Sequence, residues 1–156
     1  MEAAGKKFTG LAISLFFAAA ILSAQQKTFD GNWQMDSAKS HVNDGRVVAL
    51  SIATSADGIK ITMKTQKGDG KEIVSEFTSK LNGKACEMAE GNHKSKLTVW
   101  YDGPVLNACK EDGPADDVTS VWKFELAPDK QTMTMKISHY VPAADDETIV
   151  FTKKTS

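Results

Sequence analysis

The sequence predicts an all-β protein, an antiparallel up-and-down meander of about ten short strands closed into a barrel. Three observations predict it. Apolar and polar residues alternate with period two through nearly every run after the leader. Gly, Asn, Asp and Pro interrupt those runs at short intervals, as strand connections do. No convincing helical period is found after the leader, the one exception being a candidate turn at Ser37 to His41. Closing such a meander removes its exposed edges.

Residues 1–24 read as a secretory signal peptide. Lys6 and Lys7 precede an apolar run from Leu11 to Leu22, and Ser23-Ala24 follows as the small-residue cleavage site. A run of twelve residues is too short to span a bilayer, which takes about 20. Gln25 follows the expected cut, where a lipoprotein would carry cysteine, so no stable membrane anchor is expected. Residues 25–156 have the length of a single domain with one core. Without Glu2, Lys6 and Lys7 that domain carries 17 basic and 19 acidic residues. This balance excludes the concentrated basic surface of a nucleic-acid binder. A secreted or periplasmic monomer is the expectation.

In the first strand, Phe29, Gly31, Trp33 and Met35 share a face. Trp33 is placed at the bottom of the core, with Gly31 leaving room for a neighbour to approach. Val48, Leu50 and Ile52 face inward on the second strand, and Ile59, Ile61 and Met63 on the third. Ile73, Phe77 and Leu81 share a face on the fourth, and an Asn82-Gly83 hairpin turn leads to a short fifth strand at Lys84 to Met88. Leu97, Val99 and Tyr101 mark the sixth strand, with Trp100 opposite. The seventh runs from Val105 to Lys110. Val118, Trp122, Phe124 and Leu126 fall near one face of the eighth. Met133, Met135, Ile137 and His139 line the ninth, and Ile149 and Phe151 mark the tenth.

Successive connections of a meander alternate between barrel ends. The tight turns at Asp57-Gly58, Asn82-Gly83, Asp102-Gly103 and Pro128-Asp129 sort to one end. The longer connections, at 37–46, 67–70, 90–95, 111–117 and 141–147, sort to the other, which is therefore the candidate mouth. That mouth collects ten carboxylates, among them Asp44, Glu90, Asp112, Asp116 and Glu147, together with His41 and His93. Two readings stand for these groups. They form a solvated rim that disfavours anions, or they hold a divalent metal, although no spacing matches a known site.

Cys86 and Cys109 lie in the exported part, where a pair of cysteines is expected to form a disulfide. Such a bridge closes a loop whose constraint stabilises the fold by about 3 kcal/mol. A regular meander opposes it, because strand six separates the two backbones by about 9.6 Å, beyond the ~7 Å limit for Cα atoms.

Phe29-Asp30-Gly31-Asn32-Trp33, followed by Asp36-Ser37-Ala38-Lys39-Ser40, resembles the opening of small secreted bacterial proteins of lipocalin-like type, within the calycin group. The G-x-W strand followed by ten strands is also similar, more distantly, to the fatty-acid-binding proteins, although their two lid helices are missing here. The resemblance implies a barrel with an internal apolar pocket and transfers no functional residues. In the similar nitrobindin-type barrels a histidine on a late strand ligates haem iron. His139 admits that reading or the simpler one of a core-edge histidine satisfied by a backbone carbonyl. No cofactor is expected.

These readings give a non-catalytic exported protein that holds a small apolar or amphipathic ligand. The expected lining is Trp33, Met35, Phe77, Tyr101, Trp122, Met135 and His139, with the ligand above Trp33. The alternative is a structural or protein-interaction module of the cell envelope with a filled core. No acid, base and nucleophile set stands out, so no enzyme is expected.

Overall fold

The computed structural model describes residues 28–155; the leader lies outside the described residues. Ten strands form one closed antiparallel barrel. They are β1 (Gly31–Met35), β2 (Val47–Ser55), β3 (Gly58–Gln66), β4 (Glu72–Ser79), β5 (Ala85–Glu90), β6 (His93–Asp102), β7 (Val105–Asp112), β8 (Asp117–Leu126), β9 (Thr132–Tyr140) and β10 (Ala143–Lys153). Each strand pairs with its sequence neighbours, and β1 closes the ring by pairing with both β2 and β10. The candidate helical turn is a bend held by the Lys39 N–H on the Asp36 carbonyl at 3.1 Å, followed by a bridge between His41 and Thr148.

The interior is layered. Across β8, β9 and β10 the inward residues run Leu126–Met133–Phe151, then Phe124–Met135–Ile149, then Trp122–Ile137–Glu147, and finally Ser120–His139–Ala144 at the rim. The lower layers are filled with apolar side chains. Trp33 packs beneath them at 1% exposure and donates its indole N–H to the Phe29 carbonyl at 2.8 Å. Phe29 is fully buried, with Tyr101 6.3 Å away ring to ring. The neighbour that Gly31 admits is Lys153, whose ammonium lies 5.3 Å from the Trp33 ring.

Two β-bulges change which side chains face inward. The first falls between the Lys110–Ser120 and Glu111–Val118 pairs, so Val118 turns outward although Trp122, Phe124 and Leu126 point in. The second sets Asp145 and Asp146 opposite Ser138 alone, between the Ala144–His139 and Glu147–Ile137 pairs, so Ala144 faces inward beside His139, while Glu147 faces inward in unbroken alternation with Ile149 and Phe151. The tenth strand is thus much longer than its apolar core at Ile149 and Phe151 suggests.

Connection lengths also depart from expectation. At the mouth end β5–β6 and β9–β10 are joined by Gly91-Asn92 and Val141-Pro142 alone, because the strands continue into polar sequence. Only the connection from Asp36 to Arg46 is long. At the opposite end the Asn82-Gly83 hairpin is a wider loop. Leu81 takes φ 55°, ends β4 early and packs back on the core, and its N–H is held by the Ser79 hydroxyl at 3.2 Å.

The expected disulfide is corrected by register. Cys86 pairs with inward Leu97, whereas Cys109 pairs with Thr98, the next residue, on the outer face. The thiols therefore lie on opposite faces with β6 between them, and both are free. Burial pushes both thiols up from their ordinary pKa.

Protein purified without reductant should accordingly retain both thiols, with none of the ~2 Da mass loss of an oxidised pair. Gly58, at φ 142°, has no room for a side chain, since a Cβ would overlap the Ser79 carbonyl oxygen of the neighbouring strand. Gly58→Ala is expected to destabilise the protein by about 2–4 kcal/mol, measured as a fall in the urea midpoint.

Candidate functional site

Above the filled layers lies a chamber of about 380 Å³ that opens at the long-connection end. Its floor and walls are apolar, with Val48, Met63, Ile73, Trp122, Met135 and Ile149 facing it. Its upper wall carries Asp44, Arg46, Lys67, Glu90, Lys110 and His139. An apolar floor under a ring of polar groups suits a molecule with one end of each kind. Trp122 donates its indole N–H to the Ser120 hydroxyl at 2.9 Å, which fixes the ring against the wall.

Three of the seven expected ligand residues line this chamber: Trp122, Met135 and His139. The other four do not. Trp33 and Met35 sit in or below the lowest layer, Met35 opposite Phe151. Phe77 is 3% exposed and packed into the core, and Tyr101 lies at the tight-turn end beside Phe29. Face parity selects inward residues correctly, but it carries no information about depth.

The upper wall is organised by a buried carboxylate. Glu147 is 2% exposed at its side chain. Arg46 grips it with two bonds, Nη1 to Oε1 at 2.9 Å and Nη2 to Oε2 at 2.5 Å. The Asn43 backbone N–H donates to Oε1 at 2.7 Å. His139 Nε2 lies 3.0 Å from Oε2, and because an ionised carboxylate only accepts, this nitrogen carries the proton. Arg46 Nη1 also donates to Asp44 Oδ1 at 2.7 Å. Burial by itself would raise the Glu147 pKa. The Arg46 fork, the Asn43 N–H and the His139 ring outweigh it and hold the group at about 2.

His139 is therefore an inward, rim-level histidine whose partner is a carboxylate and not the expected backbone carbonyl. Of the other rim acids, Glu90 meets Lys110 at 3.0 Å, Asp112 meets His93 at 2.6 Å and Asp116 meets Lys96 at 2.6 Å. Lys110, Lys96 and Arg46 thus offset part of the negative charge of the rim. His41 is held in the loop by its backbone bridge to Thr148. No group of three His, Cys, Asp or Glu side chains among the described residues is placed to hold a metal ion.

Arg46 is not among the expected site residues, yet a signal for it exists. It is the only arginine in the chain, against 18 lysines. Arginine is favoured where a carboxylate must be gripped by a planar fork out of water. Glu147 is hidden in the run Asp145-Asp146-Glu147, which reads as a solvated loop, although the alternation of Phe151 and Ile149 carried two residues further places it on the inward face.

No protein-family model matches the chain, and no curated protein matches it. The fold class itself is defined by the geometry, an antiparallel ten-stranded barrel compatible with a calycin-like architecture.

The Glu147 network sets an acid limit on stability. Its folded pKa of about 2 lies below the ordinary value of 4.5, so its contribution is complete above the unfolded value and lost as pH falls through the folded one. Glu147→Gln should flatten the decline of the urea midpoint between about pH 5 and 2. At pH 7 the same substitution should cost about 2–4 kcal/mol, by leaving Arg46 poorly paired in a half-closed site.

Proposed function

We propose that this chain is an exported, non-catalytic, monomeric binding protein that holds one small apolar or amphipathic molecule in the upper half of its barrel. The observation that carries the reading is the chamber, whose ~380 Å³ falls within the roughly 300–1,000 Å³ of small-molecule sites. Trp33 plugs the closed end beneath the filled layers, so a ligand would rest above those layers, on Trp122 and Met135 and not on Trp33 itself. The methionines at 63 and 135 add adaptable, polarisable walls that suit apolar surfaces of varied shape. Export rests on the leader, and the lipocalin-like assignment rests on the G-x-W opening together with the barrel.

A non-catalytic role is supported by the state of the buried acid. Glu147 is engaged by Arg46, Asn43 and His139, so it is held ionised as a structural anchor. The envelope module with a filled core is the competing reading, and the chamber volume weighs against it.

Titration with phenylnaphthylamine, a neutral fluorescent apolar probe, tests the proposal. Bound dye should brighten and accept energy from tryptophan, and Trp122→Phe should remove most of that transfer. Met63→Trp, which fills the chamber from a half-buried wall position, should abolish binding without altering the far-ultraviolet circular dichroism. Absence of dye binding to the intact protein, with no ligand retained on native mass spectrometry, would leave the filled-core module.

A further inference from the structure

The chamber wall is not equally high all round. β4 extends upward to Glu72, but its neighbour β5 stops at Glu90, opposite Ser75, and turns back at Gly91-Asn92. The ladder between β4 and β5 holds three residue pairs, Ser75–Glu90 to Phe77–Met88. Above it a single further bond joins the two sides, from the Gly91 N–H to the Val74 carbonyl at 3.3 Å. The rim is therefore notched at the β5–β6 turn.

Outside the notch lies a groove of about 830 Å³ whose lining includes Lys71, Val74 and Asn92. Ile73, Glu90 and Lys110 line both this groove and the chamber. The ion pair between Lys110 and Glu90, at 3.0 Å, thus stands where the two spaces meet. Its side chains are 18% and 32% exposed, so it is much wetter at Glu90 than the Arg46 grip on Glu147. Partly solvated pairs of this kind contribute little. Separating this one takes rotation of two flexible side chains and breaks no backbone bond.

We infer that the chamber has a side opening over the β5–β6 turn, gated by Lys110 and Glu90, and that its ligands are elongated amphipathic molecules too long for the chamber alone. The apolar end occupies the space above Trp122 and Met135. The remainder passes over Ile73 and lies in the outer groove, where Val74, 42% exposed, offers apolar contact beside charged Lys71 and Glu72. This inference rests on the chamber reading, and the experiment separates the two.

Straight-chain alcohols from hexanol to dodecanol, displacing phenylnaphthylamine from the intact protein, provide the measurement. Each added methylene that finds apolar cover should tighten binding about fourfold. In the unaltered protein the gain should continue to the long members of the series. Asn92→Trp lies on an exposed turn, fills the groove and leaves the chamber lining unchanged. It should stop the gain at a shorter chain length while leaving hexanol affinity unaltered. Lys110→Met should speed dodecanol association severalfold in stopped flow. Equal chain-length limits in the two proteins would overturn the outer site, and an unchanged association rate in Lys110→Met would overturn the gate. If neither dye nor any alcohol binds, the chamber reading itself fails.

Discussion

β1 has five residues between neighbours of nine and eleven, so above Met35 the margins of β2 and β10 face each other with no strand between them. The Arg46–Glu147 ion pair spans that gap. It is reinforced by the two-way backbone bridge between His41 and Thr148, at 2.7 and 2.9 Å, and by the Val150 N–H donated to the Ser40 hydroxyl at 2.9 Å. The long connection from Asp36 to Arg46 is therefore fastened along β10. Below these fastenings the ring is closed by three β1–β10 residue pairs low in the structure.

Burying a carboxylate is costly unless its oxygens are fully engaged. Glu147 meets that condition because two nitrogens of Arg46, a backbone N–H and an imidazole converge on its two oxygens. The same arrangement pairs two of the rim carboxylates, Asp44 and Glu147, with one guanidinium. It also separates the interior chemically. Below the third layer the barrel is apolar and packed, above it polar and ordered, and the chamber spans the boundary. The wetter Lys110–Glu90 pair occupies the opposite side of that boundary, where backbone pairing is sparse, and the two ion pairs differ in how readily they separate.

Much of the fold was legible in the residues. Alternation along Leu50-Ser51-Ile52 or Met133-Thr134-Met135 identifies both a strand and its inward face, because side-chain direction in a strand depends on neighbours one and two residues away. Trp33 on the inward face followed from the same logic. The reading failed where one inserted residue reverses parity, as at Val118, and where the alternation was ended too soon, as at Glu147, which continues the inward face of Ile149 and Phe151. It failed again where a turn signal competes with packing, as at Leu81, which leaves the strand to reach the core. The candidate site was half legible. Trp122, Met135 and His139 meet at one chamber, whereas Trp33, Met35, Phe77 and Tyr101 were grouped with them because a shared face says nothing of height along the barrel axis.

The sequence by itself determined the strands, their inward residues and the all-β class, since these depend on local periodicity and turn chemistry. It also contained the lone arginine whose planar fork the seam requires. Only the tertiary structure decided the depth of each inward residue, the opposite faces of Cys86 and Cys109, and the meeting of Arg46 with a carboxylate 101 positions away. These depend on register and shear between strands, which are fixed by closure of the whole ring and are carried by no single stretch of chain.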